Sequence, residues 1–476
     1  MTIDILLLQL CAGRITKEKL AFAASVMRSC SAKKVHFTAC QNLKLLGLEV
    51  MDVAAIKSQA RASGVSVWED AQVRPYNIMC SPLTGAEKGE YFNVMPYAEA
   101  AGVYTQELAN SCALPGGLRI SFSSTPVNNT YATFTDLGFC ARPDKLFDVY
   151  SAGALGAEPQ IGLLTAAAVA PEKILYYIKA TQLLKARYSD RLADGRNSVR
   201  FIREAAGSDV NYKEEFSSLL KEIFASGENL DLELEKTKLK KRDFKLISGY
   251  RVIPQKQPGL YAVNYHPQGG VADAQVFCAL ADYLEKVNGA ELRLASDQSV
   301  YIINLTAPEA ARVMALTPDS AYNSFTSSVA CTSGESGQAK AGDPEASLQE
   351  CFDVMATEYA ASDALPQLFI SGTPSSCSAH QVADLGLLST TTLLKSAVHP
   401  AFKVYVNGCS FQGQEQFARE LGVLLAEDVP YFLLEVGKHV AVSGKNYRQW
   451  CAENPLKLSE LVGKYLAKIE LLNKKA

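Results

Sequence analysis

The chain contains one pattern twice, as Thr125-Pro126 ahead of Asp136-Leu137-Gly138 and as Thr373-Pro374 ahead of Asp384-Leu385-Gly386. Every matched position is offset by 248 residues. The second copy also carries Cys377, a thiol that the first copy lacks. A pattern repeated at so long a period indicates duplicated domains rather than a solenoid. The two copies therefore predict two similar modules around one reactive centre.

A second repeat, offset by 257 residues, supports the first. The segment Gly13–Thr16 opens a helical pattern that leads to a strand and to Gln41-Asn42, and Gly270–Asp273 opens a similar pattern that leads to Gln298-Ser299. The chain therefore has the order A-B-A′-B′. We predict the following ranges: module A, 1–70; module B, 71–206; a charged helical linker, 207–256; module A′, 257–330; and module B′, 331–476.

Hydrophobic periodicity predicts strands alternating with helices, which is typical of an α+β or α/β fold. Module A is predicted to have a strand over Ile3–Leu10 and a helix over Lys17–Ser29, and module A′ repeats this order. Each of these small pieces buries little surface alone, so we expect the two to make one shared sheet. Module B is predicted to have a helix over Pro171–Tyr188, and module B′ one over Gln414–Leu421.

Composition excludes several classes of protein. The net charge of −3 gives no reason to expect nucleic acid or an anionic membrane as a partner. No apolar run approaches the roughly 20 residues of a membrane helix, and Ile5–Leu8 follows Asp4 in a pattern typical of a buried strand rather than a signal peptide. We expect a cytoplasmic protein whose twelve cysteines are reduced. The absence of a Cys-x-x-Cys pair argues against a zinc ribbon.

Ordered pieces along nearly the whole chain carry a family resemblance. They are Ala12–Thr16, His36–Thr38, Gln41-Asn42, Cys80–Gly85, Leu114-Pro115, Asp136–Phe139, Gly153–Gly162, Ser371–Gln381 and Asp384–Leu387. With these pieces the chain resembles the sirohaem-containing nitrite and sulfite reductases. The resemblance implies an internally duplicated α+β fold, with two ferredoxin-like half modules paired about a pseudo-twofold axis and two α/β modules around a tetrapyrrole. It also implies sirohaem, a [4Fe-4S] cluster on four cysteines and a small anionic substrate.

The matching positions also imply site residues. Cys377 falls on the thiolate that bridges the cluster to the sirohaem iron, and Cys331 falls on a second cluster ligand. The predicted cofactor contacts, besides Cys377, are Gln41, Asn42, Gly153, Gly156, Asn407 and Gly408. Arg119 is the predicted catalytic cation that matches the family pattern in charge, and Lys44 and Arg74 are predicted as cations that compensate for the missing ones. These cations would bind the anion and supply protons. No motif for NADPH or flavin is visible, so a separate electron donor is expected.

The chain departs from the family pattern at several of its site positions. Gly337 and Thr373 stand where the family has the other two cluster cysteines, so altered iron-sulfur ligation is expected, because Cys₄ ligation is the rule. Cys40 and Tyr76 stand where the family has arginines. Cys377 is either an iron ligand or a relic thiol.

Three functions remain open from the sequence. The first is a tetrapyrrole oxidoreductase with altered ligation and a modified anion pocket. The second is a non-catalytic relative that acts as a complex subunit or a tetrapyrrole-binding protein. The third is a conventional reductase whose cluster uses replacement ligands, for which Cys351 and Cys409 are nearest in sequence. His36 and His380 are expected to be structural.

Overall fold

A computed structural model describes residues 5–48, 53–69, 75–111, 117–189, 196, 198–234, 245–331 and 342–474. Within these ranges the chain forms four five-stranded sheets. Modules A and A′ share one hydrophobic core, whereas modules B and B′ each have their own. A small fourth cluster, in which Phe134 packs against Phe417 with ring centroids 5.7 Å apart, joins B to B′. No helix of the described chain is long and apolar enough to cross a membrane.

Module A follows the predicted order of strands and helices. Helix α1 has the predicted bounds, and it buries an apolar face that includes Leu20, Ala24 and Met27. A stripe of this spacing is typical of an amphipathic helix on a core. The elements are β1 (Ile5–Gln9), β2 (Arg14–Ile15), α1 (Lys17–Ser29), β3 (Lys34–Phe37), β4 (Leu43–Leu46), α2 (Val53–Ala62) and β5 (Ser66–Glu69).

Module B has three parallel strands followed by two antiparallel ones. Its elements are β6 (Asn77–Cys80), α3 (Met95–Ser111), β7 (Arg119–Ser123), β8 (Leu137–Ala141), β9 (Phe147–Ser151), β10 (Leu163–Val169), α4 (Ile174–Tyr188), α5 (Val199–Ala205) and α6 (Asp209–Ala225). Helix α6 buries Tyr212, Phe216 and Leu219 in the core of module B. The prediction of a solvated linker is therefore wrong over this stretch, because one face of α6 is apolar.

Module A′ repeats module A, and the two exchange short strands. Its elements are β11 (Val252–Pro254), β12 (Tyr261–Tyr265), β13 (Val271–Asp273), α7 (Ala274–Leu284), β14 (Glu291–Leu294), β15 (Val300–Leu305) and α8 (Ala307–Leu316). Strand β13 pairs with β3 of module A, and β2 of module A pairs with β14. The prediction of one shared sheet is therefore wrong. The modules form two sheets, each completed by a strand from the other.

Module B′ repeats the strand order and directions of module B. Its elements are β16 (Val329–Ala330), α9 (Pro344–Met355), α10 (Tyr359–Ala364), β17 (Leu368–Ser371), β18 (Leu385–Leu394), β19 (Ala397–Val406), β20 (Arg419–Leu425), α11 (Val429–Ser443), α12 (Tyr447–Glu453) and α13 (Lys457–Lys474). The helix predicted over Gln414–Leu421 is wrong, because β20 pairs there with β19. Gly422 has φ +152° at the irregularity in this pairing, a value that a helix excludes.

Candidate functional site

The repeated pattern builds the same turn in both modules. In module B, Asn128 and Tyr131 have φ +53° and +55° and precede a 3₁₀ turn at Ala132–Phe134. In module B′, Ser376 and Ala379 have φ +57° and +56° and precede a 3₁₀ turn at His380–Val382. Matching left-handed residues at matching positions show that the duplication extends to the backbone. Cys377 lies on the second of these turns.

The two aspartates of the pattern make different contacts. One carboxylate oxygen of Asp136 accepts the backbone N–H of Arg119 at 3.0 Å. The other accepts the Ser198 hydroxyl at 2.9 Å and the Val199 N–H at 3.0 Å. Asp136 is 6% exposed and ties the start of β7 to the start of α5. In module B′, Asp384 instead pairs with Arg448 at the surface.

Arg119 projects into a recess of about 240 Å³ at the boundary of modules B and B′. Asp136, Gly153, Gly156 and Ser375 also line this recess, which we call the B–B′ recess. The side chain is exposed to solvent. Desolvation by the surrounding protein disfavours the charge of the guanidinium, but Cys40, Asp136 and Cys377 outweigh it and raise the pKa of Arg119 further above its ordinary value. Arg119 therefore carries a permanent positive charge at the start of β7.

Cys377 lies close to the predicted basic residues. Its side chain is exposed to solvent, yet desolvation by the surrounding protein raises the pKa of the thiol. Cys40 raises this pKa further, whereas Arg119 and Lys44 lower it. The structure thus brings three of the predicted residues, from modules A, B and B′, within electrostatic reach of one another. Lys44 itself is buried, with 8% exposure.

Cys331 lies beside the segment that carries Cys377. Its sulfur accepts the backbone N–H of Gly372 at 2.8 Å, and burial raises the pKa of its thiol to about 11. The Cys377 thiol contributes to that increase, so the two sulfurs share one environment. Among the described residues, no three His, Cys, Asp or Glu side chains converge as ligands for a metal ion.

The two cysteines considered as replacement ligands lie elsewhere. Cys351 is fully buried in the core of module B′, where burial raises the pKa of its thiol. Cys409 lies on a loop whose backbone pairs with Gln416. Arg74, a predicted cation, falls outside the described residues. So does Gly337, which stands where the family has a cluster cysteine.

Gln41 and Asn42 join module A to module B. The Gln41 side-chain amide donates to the Cys80 carbonyl and accepts the Cys80 N–H, both at 2.8 Å. The Asn42 side chain accepts the Leu10 N–H at 2.9 Å and donates to Asn77 at 3.0 Å. Both residues are fully buried. Their contacts fix the turn that carries Cys40, and their cofactor role stays a prediction.

With this geometry established, comparisons with known proteins point to one family. The family model for the nitrite and sulphite reductase 4Fe-4S domain matches residues 71–209. The model for the nitrite/sulfite reductase ferredoxin-like half domain matches residues 253–317. These matches fall on modules B and A′. The chain belongs to the nitrite and sulfite reductase family. The predicted duplicated α+β fold of that family is confirmed.

Relatives of this family member match along most of the chain. The ferredoxin–nitrite reductase of Synechococcus elongatus is 23% identical over 462 residues, which cover 90% of this chain and 84% of that protein. The chloroplastic ferredoxin–nitrite reductase of Zea mays is 25% identical over 410 residues, with coverages of 81% and 69%. The structure of the Mycobacterium tuberculosis NirA protein matches with a TM-score of 0.76 at 17% identity, covering 94% of this chain and 83% of that one.

In this family member the two predicted glycine positions of module B serve the fold. A Cβ at Gly153 would lie 2.6 Å from the Thr133 carbonyl oxygen. Gly156 has φ +130°, and its N–H and carbonyl pair with the side-chain amide of Gln381 at 2.8 and 2.7 Å. Gln381 therefore joins module B′ to module B beside the B–B′ recess, a role that the sequence did not reveal.

The predicted pair Asn407-Gly408 is the counterpart of Ala152-Gly153. Asn407 and Ala152 both have φ +62° and donate to the carbonyl of the pattern aspartate of their own module, Asp384 or Asp136. A Cβ at Gly408 would approach the Val382 carbonyl carbon to 2.5 Å. These contacts close the same turn in each module. The cofactor role predicted for Gly153, Gly156, Asn407 and Gly408 remains a prediction.

His380 is a buried, neutral residue of the second turn, and it gives a pH prediction. Its Nδ1 lies 2.8 Å from the Ser371 hydroxyl, its ring packs against Tyr405, and burial lowers its pKa to about 4. An unfolded histidine has a pKa of about 6.5 and takes up a proton first as pH falls. The neutral His380 ring therefore contributes its full stabilisation of the folded state above about pH 6.5, and this contribution is lost as the pH falls towards 4. The full loss of unfolding free energy between these pH values is about 3 kcal/mol.

We expect His380→Asn to flatten the decrease in unfolding free energy between pH 7 and pH 4.5, measured by urea denaturation at several pH values. His36, whose pKa is also lowered to about 4 by burial and by Lys44, keeps its own contribution in this variant. The half-exposed His399 on β19 supplies the control His399→Gln. A pH profile for His380→Asn parallel to that of the wild type would contradict the prediction.

Proposed function

We propose that this family member binds a sirohaem-type tetrapyrrole beside Cys377 and reduces a small anion with electrons from a separate protein. The observation that carries this proposal is the convergence of Arg119, Lys44 and Cys377 at the meeting point of three modules. Two cations beside an exposed thiol suit an anionic substrate and a soft iron ligand. When bound, the tetrapyrrole would supply the one-electron chemistry that anion reduction requires.

The chain's own residues would perform the remaining tasks. The backbone of Arg119 is held by its hydrogen bond to Asp136, and the guanidinium at the end of this side chain would bind the anion. Lys44 is a buried ammonium, and such a group can also deliver a proton to a substrate oxygen. The Cys377 sulfur is the protein atom suited to the iron. The half-exposed thiol of Cys40 replaces a family cation and is expected to change which anion is preferred.

We also propose that the iron-sulfur ligation differs from that of the family. Cys331 and Cys377 are two thiols where four are the rule, and Thr373 stands at the position of a third. Cys351 is enclosed in the core of module B′ and is not placed to substitute. Because this donor set does not fit a four-thiolate cluster, no electron-transfer step is assigned through one.

The electron donor is proposed to be a separate protein. Both relatives described above are named for ferredoxin, and no nucleotide-binding motif is present in this sequence. We propose that donor and reductase share the cytoplasm.

Absorbance of protein produced in cells that make sirohaem tests the proposal. We expect a Soret band in the wild type, its loss or shift in Cys377→Ser, and no change in the control Cys409→Ser. Turnover of nitrite or sulfite with reduced methyl viologen separates an enzyme from a non-catalytic tetrapyrrole-binding relative. A wild-type preparation without a Soret band would contradict the proposal.

Iron and acid-labile sulfide analysis of the same preparation tests the ligation. We expect little acid-labile sulfide, with iron only in proportion to the tetrapyrrole. About four sulfides per chain, the content of a [4Fe-4S] cluster, would show instead that the cluster is complete and that residues outside the predicted set ligate it.

A further inference from the structure

Strands β18 and β19 continue past the sheet of module B′ as a two-stranded arm, residues 390–401. Each strand has ten residues, whereas the counterparts β8 and β9 have five. The arm stands between the paired residues Ser389 and Phe402, and only residues 142–146 stand between the corresponding pair, Ala141 and Phe147. Module B forms the same order of strands without an arm, so the fold itself does not require one.

One face of the arm, which we call the arm face, is apolar and exposed. Leu393 and Val398 are a cross-strand pair, 60% and 56% exposed. The next pair on this face, Thr391 and Pro400, is also exposed. The short connection of module B is charged instead, because Arg142 forms ion pairs there. Apolar side chains grouped on one exposed face are typical of a surface that contacts a partner.

The arm has a fixed conformation. Its tip, Lys395-Ser396, has φ +49° and +63°, as a two-residue hairpin turn requires. The Asn473 side chain of α13 accepts the Lys395 N–H at 2.7 Å and donates to the Leu393 carbonyl at 3.1 Å. A surface that is already held in place loses little conformational entropy when a partner binds.

A recess of about 300 Å³ lies at the base of the arm. His399 and Pro400 form its arm side, and α9 with the turn after β20 forms the rest. Three carboxylates line it, those of Asp343, Glu350 and Glu427. Among the described residues, no Lys or Arg lines this recess, and the three carboxylates form no ion pair. We call it the acidic recess, and through Pro400 it is continuous with the arm face.

The chemistry of this surface favours one kind of occupant. Aliphatic side chains match the arm face, and a Lys or Arg matches the acidic recess, so complementarity favours a basic amphipathic segment. A second copy of the chain fits less well, because a stable dimer takes roughly 20–30 residues from each partner. The arm face and the acidic recess together supply far fewer.

We infer that the arm face and the acidic recess form a docking surface for a short segment of a partner protein, with apolar side chains next to Lys or Arg. The docking surface is separate from the proposed tetrapyrrole site, because the acidic recess shares no lining residue with the B–B′ recess. It therefore assigns the chain a protein partner whose contacts do not involve Cys377 or Arg119.

Fluorescence anisotropy with the full chain tests the docking surface, using a labelled amphipathic peptide made only of leucine and lysine. We expect Leu393→Ser with Val398→Ser to weaken peptide binding roughly tenfold to a hundredfold, because the apolar contacts are lost. Glu350→Gln with Glu427→Gln should weaken it roughly tenfold at low salt, and less at high salt, where charges are screened. The same peptide with glutamate in place of lysine should not bind.

The chain offers a matched control for each pair of variants. Val442→Ser on α11 removes a valine that is 89% exposed, and Glu214→Gln on α6 removes an exposed carboxylate of module B. Both should bind the peptide as the wild type does. A further variant replaces residues 390–401 by the sequence of residues 142–146. It should unfold cooperatively, as module B does not need an arm, and should lose peptide binding.

Four results would overturn the docking surface. They are no binding by the wild type, wild-type affinity in Leu393→Ser with Val398→Ser, wild-type affinity in the arm replacement, and equal weakening in Val442→Ser or Glu214→Gln. Sedimentation velocity tests the other occupant. A wild-type dimer that Leu393→Ser with Val398→Ser dissociates would assign the arm face to a second copy and overturn the partner segment. The Soret measurement decides the proposed function separately.

Discussion

Asp136→Ala is expected to lower the free energy of unfolding by about 3–5 kcal/mol, whereas Asp384→Ala should cost about 0–1 kcal/mol. The Asp136 carboxylate is buried and accepts three hydrogen bonds, two of them from backbone N–H groups that would lose their partner. It also lies near the buried ammonium of Lys185. Among the described residues, the Asp384 carboxylate pairs only with Arg448, whose side chain is 70% exposed, and such surface pairs contribute little.

Chemical denaturation of the two variants beside the wild type measures this difference. The pair is a matched control, because both aspartates occupy the same position of the same repeated pattern. Asp136→Asn, which keeps an acceptor oxygen, should lose less than Asp136→Ala. Equal losses at Asp136 and Asp384 would show that the pattern itself, rather than the contacts of each carboxylate, sets the stability.

Gly138→Ala and Gly386→Ala should both be strongly destabilising, by about 4 kcal/mol or more for Gly138. A Cβ at Gly138 would lie 1.9 Å from the Ala132 carbonyl oxygen, and one at Gly386 would lie 2.4 Å from the His380 carbonyl oxygen. Both glycines are paired to strands on each side. The backbone therefore has no direction in which to relieve the contact.

Thermal and chemical denaturation of both variants check this prediction. Gly89→Ala is the control, since a Cβ at Gly89 would meet nothing within 4 Å; it should change stability by no more than about 0.5–1 kcal/mol. Wild-type stability in Gly138→Ala would mean that the 3₁₀ turn at Ala132–Phe134 can move away. The close contacts of these two glycines explain why glycine stands at this position in both copies of the pattern. The two aspartates, by contrast, make different contacts in the two modules.

The sequence predicted the duplication and most elements because periodicity and turn residues are local signals. Helix α1 was placed to the residue. The helix predicted over Gln414–Leu421 failed, since strand pairing with β19 and the special φ of Gly422 are tertiary facts. The strand exchange between modules A and A′ also escaped, because β2 and β13 contain only two and three residues. Strands so short carry no periodicity.

The candidate site was predictable where the resemblance supplied positions. It identified Cys377 and Arg119, and the structure brings both close to Lys44, which was predicted as a compensating cation. It did not identify the role of Gln381, because this residue ends the matched segment Ser371–Gln381 but acts through contacts across the boundary of modules B and B′. The repeated pattern singled out Asp136 in the sequence, but two of the three hydrogen bonds to its carboxylate come from the start of α5, more than sixty residues away.

The exchanged strands have a consequence for the order in which the chain folds. Strand β2 emerges early in synthesis but, among the described strands, pairs only with β14. Strand β3 pairs with β4 inside module A and acquires its second neighbour when β13 has been made. Contacts between such distant parts of a chain slow folding. During translation, the β3 edge of the sheet in module A therefore remains unpaired while module B is synthesised and folds. A nascent chain interrupted before module A′ would present that edge to chaperones.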